Sequence, residues 1–307
     1  MCLSSGRATE LTRRPLFETL ERGSFPLTGA LFPITVAQQG RTELTEHQKQ
    51  APLIEYRNIT VSRNEQVALD RLDFSIGLGE HVAILGPNGS GKSTLIKTIT
   101  RECYPRLAPG SYLRILGRRD WNIFELRPLL GIVSNDLLAR CARDFSCLEI
   151  VLSGFFSSVG IWPHHEVTAE MEERAGQVIE ELRVAHLGGR RMSQLSSGEA
   201  RRILIGRALV HNPRALVLDE PTSSLDLHAT YELRSILRKI AVAGTGIIMV
   251  THDLHDIIPE IKRVILLKEG RVFRDGPKDE VLTAEVLSEL FGTRFEVVRK
   301  DGYYHLW

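Results

Sequence analysis

Residues 80–94 read Glu-His-Val-Ala-Ile-Leu-Gly-Pro-Asn-Gly-Ser-Gly-Lys-Ser-Thr, and their reading decides the fold. Val82 to Leu85 is an apolar run long enough for one buried strand. Gly86, Pro87, Asn88, Gly89, Ser90, Gly91, Lys92, Ser93 and Thr94 follow with the spacing G-x-x-x-x-G-K-[ST]. In that pattern the backbone N–H groups of a glycine-rich turn wrap a di- or triphosphate, and the next helix points its positive end at the anion. Glycine at positions 86, 89 and 91 permits positive φ and leaves no Cβ between backbone and phosphate. Lys92 would reach the β- and γ-phosphates, and the Ser93 hydroxyl would sit on Mg2+. Thr94 to Thr100 continues the helix that the loop opens. The plain alternative is a chance glycine-rich turn, and a place between a strand and a helix argues against it.

Bulk properties set few other bounds. A chain of 307 residues with 43% hydrophobic and 25% charged residues has ample material for one large domain or two modest ones. A net charge of +1 gives no general reason to bind nucleic acid or an anionic membrane. The four cysteines, Cys2, Cys103, Cys141 and Cys147, contain no C-x-x-C pair, so neither a zinc site nor a disulfide framework is indicated, and free thiols in a reducing cytosol are expected. No window approaches the 18 or more apolar residues of a membrane span. The longest uncharged stretch, Ile150 to Trp162, carries Ser153, Ser157 and Ser158.

Residues 1–50 differ from the rest, with scattered charge, several Gly and Pro, and no sustained period of 2 or 3.6. They are expected to be a mobile extension or a misassigned translation start, and Glu10, Glu18 and Glu21 argue against a signal peptide. From residue 51 a single domain is expected to run to the C-terminus. Alternation from Leu53 to Val61, a polar turn near Asn64, and Leu69 to Ile76 before Gly77 and Gly79 predict an antiparallel hairpin leading into the phosphate loop. Between about Asn135 and Arg191 the pattern turns helical. Val167 to Val184 has an acidic start and apolar Met171, Val178, Ile179 and Leu182 at near-helical spacing, so a small inserted helical subdomain at about 136–195 is predicted. The runs Ala215 to Leu218 and Ile247 to Val250 read as parallel strands buried on both faces, with functional groups at their carboxyl ends. With helical stretches between them, the core is α/β.

Two motifs narrow the chemistry. Asp219-Glu220 ends the second buried run. Asp219 is suited to hold Mg2+ through water and Glu220 to accept a proton from an attacking water. Upstream, Leu195-Ser196-Ser197-Gly198-Glu199 opens a helix with Ala200, Ile203, Leu204 and Ala208 on its apolar face. A Ser-Ser-Gly turn there is a second anion site, or only the cap that starts the helix.

At these residues the chain resembles the nucleotide-binding subunits of ABC transporters, from about Leu53 onward. Gly86 to Thr94 resembles Walker A, Leu195 to Glu199 the signature motif and Leu216 to Glu220 Walker B. Ser224-Leu225-Asp226 resembles the D-loop and Thr251-His252-Asp253 the switch histidine. The resemblance implies a P-loop NTPase fold of the ABC-ATPase type, with an antiparallel β subdomain and an inserted helical subdomain. It also implies ATP and Mg2+ as cofactors and a head-to-tail dimer with a second copy, in which Ser196, Ser197 and Gly198 of one chain, with Asp226 nearby, meet the nucleotide held by the other. His252 would orient the γ-phosphate and the attacking water. Transmembrane permease subunits would be the partners, on the inner face of the plasma membrane.

Departures from the family pattern are Ser197-Gly198 for the usual glycine pair and Glu199 for glutamine. Asn135 stands where the Q-loop glutamine is expected, as a shorter nucleotide and Mg2+ contact, and Arg63 where an aromatic residue commonly stacks on adenine. The stretch from Gly276 to Gly292 is similar to the tails of importer ATPases that serve metal-chelate and related permeases, and Asn135 and Arg63 resemble a molybdenum-type subgroup. Phe155, Phe156, Ile161 and Trp162 lie near where the family receives its membrane partner, or else fill the helical subdomain's core. His164-His165 after Pro163 reads as a loop. The competing function is a soluble ABC protein acting on ribosomes or DNA. Such proteins usually carry two cassettes or long coiled coils, neither of which is seen here, so no nucleic-acid partner is expected.

Overall fold

The computed structural model describes residues 42–63, 65–106 and 108–307. The expected turn at Asn64 and most of the expected N-terminal extension lie outside them. Residues 42–50, the end of that stretch, are folded. The Thr45 side chain accepts from the Gln48 backbone while Gln48 answers the Thr45 N–H, starting helix α1 (Glu46–Gln50). Leu44 is buried, and Arg214 donates to the Thr42 carbonyl at 2.7 Å. One turn of helix is too short to leave a period in the sequence.

Strand β1 (Ile54–Arg63) pairs antiparallel with β2 (Gln66–Ile76), as the alternation predicts. Ile54 and Tyr56 face inward, and after a register shift Ile59 and Val61 do. Asn58, at φ +48°, takes up the extra residue. Strand β3 (His81–Leu85) runs into the phosphate loop and α2 (Lys92–Ile99). A third strand, β4 (Tyr112–Ile115), which the sequence pattern did not announce, pairs with β1 and completes the order β2-β1-β4.

The short helix α3 (Ile123–Leu126) leads into β5 (Leu130–Val133). Helices α4 (Asn135–Cys141), α5 (Cys147–Leu152) and α6 (Ala169–Glu181) then precede α7 (Ser197–Leu209). The helix read over 167–184 is shorter at both ends. The Thr168 side chain caps its start, and Arg183, at φ +58°, has left the helical region.

After α7 come β6 (Ala215–Asp219), α8 (Leu227–Val242), β7 (Gly246–Thr251), β8 (Arg263–Lys268) and β9 (Arg271–Pro277). Helices α9 (Lys278–Val281) and α10 (Ala284–Phe291) and the hairpin β10 (Val297–Lys300) to β11 (Tyr303–Leu306) end the chain. The main sheet has the order β5-β6-β7-β3-β8-β9, parallel except for β9.

This sheet explains the uninterrupted apolar runs. Ala83, Leu85, Leu216, Leu218, Ile247 and Met249 point into a core shared with α5 to α8. Their neighbours Val82, Ile84, Ala215, Val217, Ile248 and Val250 point into a core shared with α2 and the antiparallel sheet. Both faces are covered, so each large side chain there stabilises the fold by about 1.5–3 kcal/mol. Because β3, β6 and β7 are adjacent and parallel, the loops at their carboxyl ends converge.

Candidate functional site

The phosphate loop is built by backbone constraints. Gly89 and Gly91 adopt φ of +82° and +101°, which glycine alone takes without strain. Gly86 does not, contrary to expectation. Its need for glycine is packing, since a Cβ there would lie 2.4 Å from the Leu267 carbonyl oxygen and 2.6 Å from Ser90 Oγ. Gly91 occupies the cap position of α2 with no side chain on the helix's first N–H groups, which leaves them for an anion. Ser90 Oγ is buried with no partner among the described residues.

Lys92 is 6% exposed, and its ammonium donates to the carbonyls of Gly86 at 2.7 Å and Pro87 at 3.0 Å. Burial lowers its pKa, against the pull of Glu220 and Asp219. A buried cation held only by carbonyls, an unpartnered hydroxyl, an uncapped helix start and glycine at positions 86, 89 and 91 fit a polyphosphate.

The carboxylates stand at the end of β6. Burial, with like charge from Glu220 and Asp136, pushes Asp219 up to about 6 despite Lys92 and Arg201. A carboxyl destabilised in this way is suited to a bound cation. Glu220 is left-handed at φ +46°, its N–H bound to the Val250 carbonyl at 2.8 Å. Its Oε1 lies 2.9 Å from His252 Nδ1 at the end of β7. Ser93, Asn135, Asp219 and Glu220 line one cleft of about 690 Å³.

The remaining predicted residues are distributed differently. Ser196 caps α7 and accepts from the Glu199 N–H, while Glu199 accepts from the Ser196 N–H at 2.8 Å. Ser196 and Ser197 are exposed and do not line the cleft that holds Ser93 and Asp219. Gly198 is a close-packing glycine, since a Cβ would meet that of Ala229 at 2.7 Å. Asp226 is exposed and caps α8 through the Ala229 N–H at 2.8 Å. Arg63, exposed at the end of β1 opposite Gln66, does not line the cleft either. Phe155, Val159 and Ile161 pack against the helical core, whereas half-buried Phe156 stacks on His165 at 4.2 Å and Trp162 is exposed. His164 lies in a turn before α6.

Two residues escaped the sequence reading. Asp256 is buried and accepts hydrogen bonds from Thr222 and Thr251, tying the turn after Glu220 to the loop that carries His252. Arg201 is buried on α7, and one of its nitrogens donates to Asn135 Oδ1 at 2.9 Å. The available signal for Arg201 was spacing, because it precedes Leu204 and Ile205 by three and four residues and so belongs to an inward face. Asp256 had no comparable signal.

Comparison with known proteins gives concordant likenesses. The family model described as ABC transporter matches residues 69–223. The chain is 32% identical to the hemin import ATP-binding protein of Hahella chejuensis over 243 residues, covering 76% of this chain and 90% of that one. The structure of cbiO1 from Clostridium perfringens, part of the ABC transporter complex cbiONQ, superposes with a TM-score of 0.66 at 27% identity, covering 78% of this chain and 94% of that one. The dimeric structure of a bacterial ABC transporter cassette superposes with a TM-score of 0.60 at 27% identity, covering 73% of this chain and 98% of that one.

Proposed function

The chain belongs to the ATP-binding family of ABC transporters, and from that premise we propose that it is the ATP-hydrolysing subunit of an importer, working as a homodimer docked on separate permease subunits. ATP hydrolysis is the family's chemistry. The observation that carries the assignment is the meeting of three strand ends: the Lys92 loop after β3, Asp219 and Glu220 at the end of β6, and His252 after β7.

In this reading the loop from Gly86 to Thr94 holds the phosphates through its N–H groups and Lys92. Ser93 and Asp219 hold Mg2+, which when bound neutralises charge on the phosphoryl oxygens. Glu220 accepts a proton from the water whose oxygen forms the new bond to phosphorus as the bond to the leaving oxygen breaks, and His252 fixes the geometry of that pair. Ser196, Ser197 and Gly198 serve the nucleotide of the second copy, with Asp226 at the interface; support comes from the exposure of Ser196, Ser197 and Asp226 and from the place of all four outside the cleft of their own chain. Arg63 is the candidate platform for adenine.

The importer assignment rests on the likeness to the hemin import protein and on the sequence of the tail. No helix among the described residues is long and apolar enough to cross a membrane, so attachment to the inner membrane face would come through permease subunits. Half-buried Phe156 is the proposed contact. The test is co-purification with the permease encoded beside this gene. Wild type should co-purify and hydrolyse ATP only with Mg2+, while Phe156→Asp should stay folded and bind ATP but lose the permease. A wild-type chain that ignores the permease and sediments with ribosomes would overturn the transport reading.

A further inference from the structure

Arg201 is only 1% exposed, yet its hydrogen-bond partners among the described residues are an amide oxygen and a backbone carbonyl, not a carboxylate. One terminal nitrogen donates to Asn135 Oδ1 at 2.9 Å and to the Ser223 carbonyl at 3.4 Å. Its Nε and other terminal nitrogen have no partner among the described residues. Burial disfavours the charge, and the longer-range pull of Asp219, Asp256 and Glu220 offsets that effect only in part. A buried arginine retained on these terms, on the helix that Ser196 opens and beside the cleft, calls for a role.

Its chemistry settles the orientation of the Asn135 amide. A guanidinium has five donors and no acceptor, so the oxygen of Asn135, and not its NH2 group, must face Arg201. That oxygen then faces the delocalised positive charge of the guanidinium at hydrogen-bond distance, which opposes its binding a dication. Asn135 lines the cleft with Ser93, Asp219 and Glu220, and with its oxygen turned to Arg201 the donors its amide still offers are the two N–H bonds of its NH2 group.

We propose that Arg201 is a positioning residue that holds Asn135 as a hydrogen-bond donor toward a phosphoryl oxygen, and that Asn135 is therefore not a ligand of the magnesium ion. This rests on the ATPase reading above and reassigns one residue within it. Its consequence is that the position trades a metal contact for a donor that stabilises charge on the transferred group.

The test uses the full chain carrying Glu220→Gln, loaded with ATP, and follows Mn2+ binding by electron paramagnetic resonance. Asn135→Ala should leave the Mn2+ Kd within about twofold, while Asp219→Asn should weaken it about tenfold or more. In chains with Glu220 intact, Asn135→Ala and Arg201→Gln should each lower kcat by about a hundredfold with little change in KM, and the double variant should be no worse than either. Loss of Mn2+ affinity in Asn135→Ala equal to that in Asp219→Asn would overturn the proposal, as would additive losses in the double variant. The Mn2+ result for Asn135→Ala decides the metal question even if Arg201→Gln does not fold. Failure of the Glu220→Gln parent to bind Mn2+ with ATP would instead bring down the ATPase reading.

Discussion

His252 Nδ1 lies 2.9 Å from Glu220 Oε1, joining the carboxyl ends of β7 and β6. The two side chains therefore act as a unit, and their deletions should not add. Glu220→Gln should lower kcat by about two to four powers of ten while ATP binding persists, because the phosphate loop and Asp219 are untouched. His252→Ala should also lower kcat, and the double variant should be no slower than Glu220→Gln alone. Phosphate release and nucleotide titration measure both quantities, and near-normal turnover in Glu220→Gln would exclude the base.

A shared site makes a second outcome specific. Lys92→Ala and Ser196→Arg should each inactivate the homodimer. A heterodimer of the two variants keeps one interface in which an intact Lys92 faces an intact Ser196. The control joins a wild-type chain to one carrying both changes, with as many lesions and no intact interface. Isolated heterodimers of the first kind should hydrolyse ATP and the control far less; equal rates would mean that the site is not shared between copies.

The raised pKa of Asp219 gives a stability prediction. The folded protein binds this proton more tightly than the unfolded chain does, so the contribution is present below the unfolded value of 3.8 and is lost as pH rises through about 6. Asp219→Asn should therefore leave stability unchanged near pH 4. In EDTA it should raise the free energy of unfolding, and Tm with it, progressively up to pH 7, by at most about 3 kcal/mol at about 1.4 kcal/mol per unit. A gain that is independent of pH would show that the cost does not come from the charge.

The two glycine constraints in the phosphate loop can be separated. Gly86→Ala must push a methyl against the Leu267 carbonyl of β8 and should lose about 1–3 kcal/mol by displacing packed backbone. Gly89 has nothing within 4 Å of a Cβ and only its φ of +82° to penalise alanine, a loss of about 1–2 kcal/mol. In urea unfolding without nucleotide, Gly86→Ala should be the less stable, and its thermal transition should broaden as β3 and β8 separate. The reverse order would refute the packing account.

Much of the fold and site was written in local order. Apolar runs at Val82 to Leu85, Ala215 to Leu218 and Ile247 to Val250 became β3, β6 and β7 because a strand covered on both faces must be apolar at every position. Turn chemistry at Gly89 and Gly91, and the side-chain caps at Ser196 and Asp226, act within a few residues and so leave a direct trace in sequence. Short elements left less: α1 and β4 are too brief for periodicity, and β4 forms because β1 offers it an edge.

What the sequence could not carry depends on residues far apart in the chain. Gly86 is glycine because of Leu267, Asp256 is buried because Thr222 and Thr251 satisfy it, and the Asn135 amide is turned by Arg201. Residue order determined the strands, the loop and the chemical groups available to it. Only the tertiary structure decided which of them share a cleft, because sheet order and helix packing bring together side chains whose separation along the chain reveals nothing of their distance in space.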